Sequence, residues 1–131
     1  VVLAANRAVA AAARPGVTLS GLNEICKQVL AEGCMKLGLI DSAEKIGTYY
    51  MHGVSHHLGI DVHDVSAGRD EPLKPGAVIT DEPGLYIDEW EIGIRIEDDL
   101  LICEDGCEVL SADVIREADE IEAFMAQAKR S

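Results

Sequence analysis

Residues 92–97, Ile-Gly-Ile-Arg-Ile-Glu, alternate strictly between apolar and other side chains. Successive side chains on a strand point to opposite faces, so this pattern defines a strand with two different sides. Ile92, Ile94 and Ile96 share one face and are expected to pack under helices. Gly93, Arg95 and Glu97 share the other, with Asp99 following. An exposed Arg–Glu pair on an open sheet would give the same pattern at little energetic consequence. Glycine speaks for more than that, because within a strand it weakens the strand and marks the close approach of another group.

Around this strand the chain reads as helices, then a sheet, then a helix. Val1 to Ala13 is an alanine-rich helical stretch stopped by Arg14-Pro15-Gly16. Thr18 or Ser20 can cap a second helix, whose apolar positions Leu22, Ile25, Cys26, Val29 and Leu30 recur at helical spacing until about Gly38. Residues 39–50 carry little pattern, and Asp64 to Pro75 is a polar loop. Val78 to Thr80, Leu85 to Ile87, Leu100 to Cys103 and Glu108 to Leu110 read as short strands, the last two joined by a turn at Asp105-Gly106. Val114 to Ala128 closes the chain as a helix, with Val114, Ala118, Ile121 and Met125 on one side. This order is α+β, and 131 residues with 48% apolar composition form one domain or part of one, 1–131.

Charge narrows the function. The formal net charge is −13, and it lies almost wholly in residues 61–131, with 6 Lys/Arg against 20 Asp/Glu. Such a surface repels nucleic-acid phosphates, so no nucleic-acid partner is expected. No apolar run is long enough to cross a bilayer, so no membrane partner is expected either. No basic, apolar leader marks a secreted precursor, and Cys26, Cys34, Cys103 and Cys107 are poorly spaced for a zinc knuckle. Free thiols in a reducing, cytoplasmic setting are expected.

Three clusters carry chemistry. His52, His56, His57 and His63 fall within twelve residues, beside Gly53 and Gly59. Imidazole serves as a metal ligand and as a proton carrier near neutral pH, and Asp61 and Asp64 offer partners for ring N–H groups. Taken alone, the cluster could bind zinc, serve acid–base chemistry or cap a loop. Glu82 precedes Pro83-Gly84 at a strand end, held in a stiff turn. Arg95 and Glu97 follow on the alternating strand. Histidine and two glutamates from separate segments converge only if the sheet curls around a pocket, and that ligand set suits Mn, Fe, Co or Zn.

The blocks His52-Gly-Val-Ser-His56-His-Leu-Gly-Ile-Asp-Val-His63-Asp, Thr80-Asp-Glu82-Pro-Gly-Leu-Tyr86 and Gly93-Ile-Arg95-Ile-Glu97-Asp-Asp resemble the signature of the Xaa-Pro aminopeptidase and prolidase family. These are pita-bread metallopeptidases, and the match runs in order through residues 51–103. The resemblance implies that His56, Glu82 and Glu97 bind metal, with Glu97 bridging two divalent ions, manganese first and cobalt or zinc as alternatives. It implies that His52 and His63 line the substrate pocket and stabilise the reacting carbonyl, that Glu82 also takes the proton of the attacking water, and that Tyr86 and Arg95 support substrate binding. His57 matches no functional position and is expected to be structural. Proline-containing peptides are the implied substrates; a homo-oligomer is expected, because part of a curled sheet exposes an edge and an apolar face. Two aspartate ligands of the family would lie upstream of the first helix, and no aspartate precedes Asp41. The chain is therefore expected to be the C-terminal part of a catalytic domain with three of five ligands, binding metal weakly and turning over little substrate. A methionine-aminopeptidase or creatinase relative and a non-catalytic binding module of the same fold are the competing readings.

Overall fold

The computed structural model describes residues 1–128. Two helices lead, α1 (Val2–Ala12) and α2 (Leu19–Lys36), followed by a short 3-10 turn at Ala43–Thr48. Five strands follow: β1 (Val78–Asp81), β2 (Gly84–Ile87), β3 (Ile92–Arg95), β4 (Asp98–Ile102) and β5 (Cys107–Val109). Helix α3 (Ala118–Ala128) comes last.

α1 buries Val2, Ala5, Asn6 and Val9, the i, i+3, i+4, i+7 stripe of one helical face. α2 buries Leu19, Leu22, Cys26 and Leu30 against it. Thr18 caps α2 by accepting the Gly21 N–H at 3.0 Å, a bond worth about 1 kcal/mol. Gly16 closes the Arg14-Pro15-Gly16 turn at φ +87°, a conformation that costs other residues strain. Its N–H reaches Leu73 O at 2.9 Å, and so ties the helical layer to the loop ahead of β1.

The strands form one bent hairpin. β1 pairs antiparallel with β4, placing Asp81 opposite Asp98, and β2 pairs with β3, placing Gly84 opposite Arg95. Both ladders share the same register. Between them the chain breaks at Glu82-Pro83 on one limb and Ile96-Glu97 on the other, and Ile96 N–H donates to Pro83 O at 3.2 Å across the break. Continuing the register through the break sets Glu82 opposite Glu97. β5 adds to β4, so the first sheet runs β1-β4-β5. On β1's other edge, Leu58 N–H reaches Val78 O, Thr80 N–H reaches His56 O and Glu82 N–H reaches Val54 O, at 3.0, 3.0 and 2.8 Å. Residues 54–58 therefore run antiparallel beside β1.

Ile79, Leu100 and Ile102 of this sheet meet the helices in the core. All four cysteines are free, and burial pushes the Cys26 thiol up to about 12.

Two expectations need correction. The isoleucines of β3 do not pack under helices: Ile92 is 45% exposed and Ile94 51%, and only Ile96 meets the core. The cause is topological. Among the described residues β3 pairs with β2 alone, which leaves it an edge strand, and no helix covers its face. That face instead walls an open apolar groove of about 760 Å³, shared with Leu3, Leu37, Trp90 and Ile121. The last helix starts at Ala118 rather than Val114, because residues 110–114 form turns, with Val114 N–H donating to Ser111 O at 3.0 Å.

An unpaired edge beside an apolar groove favours association. Light scattering on the 131-residue chain should show an apparent mass that rises with concentration. A constant monomer mass would count against this.

Candidate metal and peptide site

The antiparallel run of residues 54–58 against β1 brings the histidine block beside Glu82. His52, Gly53, Ser55, His56, His63, Arg69, Glu82 and Arg95 surround one pocket. His56 Nε2 lies 3.2 Å from Glu82 Oε1. The other nitrogen of that ring, Nδ1, lies 2.9 Å from the His57 carbonyl, which only accepts. Nδ1 therefore carries the proton, and in the neutral ring Nε2 presents a lone pair to Glu82. Two lone pairs at this distance repel unless a cation lies between them: a proton on Nε2, or a metal ion. Thr80 holds the arrangement from both sides. Its hydroxyl accepts the His56 N–H at 3.1 Å and donates to Glu82 Oε1 at 3.2 Å.

His52 is oriented in the same way. Its Nδ1–H donates to Gly53 O at 2.9 Å, so Nε2 accepts the Tyr86 hydroxyl at 2.8 Å. The Tyr86 ring reaches this position by lying over Gly93 on the opposing strand, where a Cβ would come within 3.3 Å of Cδ1. The glycine in the alternating strand thus marks the approach of an aromatic ring. His63 stacks edge-on against His56, with ring centroids 4.3 Å apart.

Glu97 stands apart from this group. Its position opposes Glu82 in the register, where facing Cβ atoms lie roughly 5 Å apart. Its carboxylate, however, pairs with Arg95 Nε at 3.7 Å and lines the apolar groove instead. Among the described residues, no three His, Cys, Asp or Glu side chains come together closely enough to hold a metal ion. His56 and Glu82 fit one: donors about 3 Å apart are what two ligands of an ion with bonds of roughly 2.0–2.2 Å require. Glu97 in this rotamer does not join them.

Asp61 and Asp64 do not act as partners of ring N–H groups. Backbone carbonyls do that for His52 and His56, and the Asp64 carboxylate binds backbone N–H groups of Ile60 and Val65. The His57 backbone forms an isolated antiparallel bridge to Ile79 of β1.

The sequence reading missed several groups. Arg69 fills the space over Gly53, where a Cβ would meet its guanidinium at 2.6 Å. The Ser55 hydroxyl is buried and has no partner among the described residues. Behind the pocket, Asn6 Nδ2 donates to Asp81 Oδ2 at 3.3 Å and to Asp98 Oδ2 at 3.0 Å, and all three residues are buried. Arg116 Nη2 pairs with the Asp98 carboxylate at 2.9 Å, and the Ser111 hydroxyl donates to it at 2.5 Å. Asn6 thus clamps the two strand positions that adjoin Glu82 and Glu97. A polar residue on the apolar stripe of α1 was the available signal.

The pita-bread fold is the class to which this α+β arrangement belongs. Aminopeptidase P from E. coli with the inhibitor Pro-Leu superimposes with a TM-score of 0.92 at 37% identity, over 99% of this chain and 34% of that one. The sequence profile of metallopeptidase family M24 matches residues 1–104, and the chain belongs to that family. The Xaa-Pro aminopeptidase of Escherichia coli (strain K12) is 42% identical over 89% of the chain. The mitochondrial intermediate cleaving peptidase 55 of Arabidopsis thaliana is 41% identical over 95%. The chain spans 31% and 27% of these relatives' lengths. No helix among the described residues is long and apolar enough to cross a membrane.

Asp81 supplies a test of the buried node. Burial first, then the carboxylates of Asp98 and Glu82, lift its carboxyl to about 8. A raised folded-state value means stability is greatest while the unfolded chain also holds the proton, and it falls as pH rises through about 8. The unfolding free energy, measured with chelator present, should therefore drop between pH ~5 and ~9 by on the order of a few kcal/mol, and Asp81→Asn should flatten the curve. An unchanged slope in the variant would show that another group causes it.

Proposed function

We propose that this chain contributes the histidine–glutamate half of a divalent-metal site that hydrolyses the peptide bond preceding proline. The observation that carries this reading is the apposition of His56 Nε2 and Glu82 Oε1 at 3.2 Å, both lone-pair donors held in place by Thr80. Membership of a metallopeptidase family supports a metal ion rather than a proton as the working cation. The names of the Xaa-Pro aminopeptidase relatives support a proline-containing peptide as substrate.

In this reading His56 and Glu82 would hold a metal, and Glu97 would join them as a further ligand once its carboxylate left Arg95. Manganese is the expected metal, with cobalt or zinc as alternatives. The bound ions supply a water acidified enough to act as a nucleophile at neutral pH. Glu82, fixed by the Thr80 hydroxyl, receives that water's proton. His63, at the pocket rim and without a hydrogen-bonded ring nitrogen among the described residues, offers an N–H to the substrate carbonyl as its oxygen gains charge. His52 and Tyr86, bonded to each other, form a rigid wall for the peptide. Arg95, released by Glu97, offers its guanidinium to a peptide oxygen. Among the described residues too few donors come together for full activity. A cytoplasmic, oligomeric enzyme is the corresponding setting.

Calorimetric titration of the metal-free chain with Mn²⁺ should show weak binding that His56→Ala or Glu82→Gln reduces by about tenfold or more. Hydrolysis of an Xaa-Pro peptide by the chain should be slight, and in the full-length protein the same substitutions should abolish it. Unchanged Mn²⁺ affinity in both variants would overturn the site. Full activity of the isolated chain would overturn its incompleteness.

A further inference from the structure

From Leu58 to Asp70 no residue is buried. Ile60, Val62 and Val65 all face solvent. This loop therefore has no apolar anchor, and its shape must come from polar contacts. Its base is tied to β1 through Leu58 N–H and Val78 O. Asp64 N–H closes the loop on His57 O at 3.0 Å, and Gly59 N–H reaches Asp61 O at 3.2 Å. The Asp64 side chain then joins both limbs. Its Oδ2 accepts Ile60 N–H at 3.1 Å and its Oδ1 accepts Val65 N–H at 2.8 Å. The fit leaves no room for a side chain at residue 59, because a Cβ on Gly59 would overlap Asp64 Oδ2. His63, the residue before Asp64, is carried by this loop onto the edge of the His56 ring.

We propose that Asp64 is a positioning residue: its carboxylate, seated on Gly59, sets the 57–65 loop and thereby holds the His63 ring against His56. A carboxylate accepting two backbone N–H bonds is a stronger constraint than two neutral acceptors, because each bond is charge-assisted. The role belongs to Asp64 rather than to Asp61, which enters the loop through its backbone carbonyl. The placement of His63 stands on the loop geometry alone. Its catalytic consequence rests on the proposed peptidase function.

The experiment uses the chain with isotope-labelled histidine and follows the nuclear Overhauser contact between the His56 and His63 rings, with exchange rates of the Ile60 and Val65 amides. Asp64→Ala should abolish the ring contact and speed exchange of both amides by about tenfold or more, while far-ultraviolet dichroism stays unchanged. Gly59→Ala should do the same by displacing the carboxylate rather than removing it. Asp61→Ala removes the same charge from the same loop and should leave both readouts intact. A ring contact that survives Asp64→Ala overturns the proposal, as does its equal loss in Asp61→Ala. Should Asp64→Ala fail to fold, the near-isosteric Asp64→Asn, which keeps one acceptor and loses the other, should still free one of the two amides. Protection of both amides there would also overturn it. In the full-length protein, Asp64→Ala and His63→Ala should lower kcat/KM to the same extent and without additivity. Absence of any peptide hydrolysis would remove the peptidase reading while leaving the ring-contact result to decide the positioning role.

Discussion

A single antiparallel register running through two short ladders organises this molecule. β1 with β4 and β2 with β3 keep the same pairing on either side of a break, and the break falls at the two glutamates. Because the register persists, Glu82 and Glu97 oppose each other although they belong to no ladder. Because the ladder is interrupted, Glu82 is free to turn out of the sheet toward His56. Asn6 reinforces the arrangement from behind, its one amide shared between the buried carboxylates of Asp81 and Asp98. A buried pair of acids is costly unless hydrogen-bonded and partly neutralised; Asn6 bonds both, Ser111 and Arg116 serve Asp98 alone, and Asp81 Oδ1 has no partner among the described residues.

Each histidine of the pocket is set by a different neighbour. His56 and His52 have their tautomers dictated by backbone carbonyls, which leaves Nε2 of each with its lone pair facing the pocket. His63 owes its place to a loop without a core. The pocket is thus assembled from one rigid side, the edge of β1, and one side held by hydrogen bonds.

Local pattern made much of the fold legible. Alanine richness marked α1 and helical periodicity α2, the Arg-Pro-Gly stop and the Thr18 cap marked where one ends and the other begins, and the turn at Asp105-Gly106 marked the hairpin between β4 and β5. The histidine block and the glutamate before Pro-Gly were legible because histidines so close together and a carboxylate in a fixed turn are rare without a use. The fate of the β3 isoleucines was not, since alternation states that a strand has two faces and not what covers either. Nor was the Arg95–Glu97 pairing, which depends on rotamers. Asn6 escaped because its partners lie 75 and 92 residues away.

The sequence by itself determined the elements, the residue types at the site and the resemblance to a metallopeptidase family, all of which rest on local spacing. Tertiary structure alone decided which carboxylates meet which histidines. It placed Glu82 on His56, kept Glu97 on Arg95, put Tyr86 over Gly93 and turned Asp64 from a partner of histidine rings into the clasp of a loop. The physical reason is range: periodicity is written in neighbours a few residues apart, whereas a site is made of side chains whose approach is set by register and packing across the whole chain.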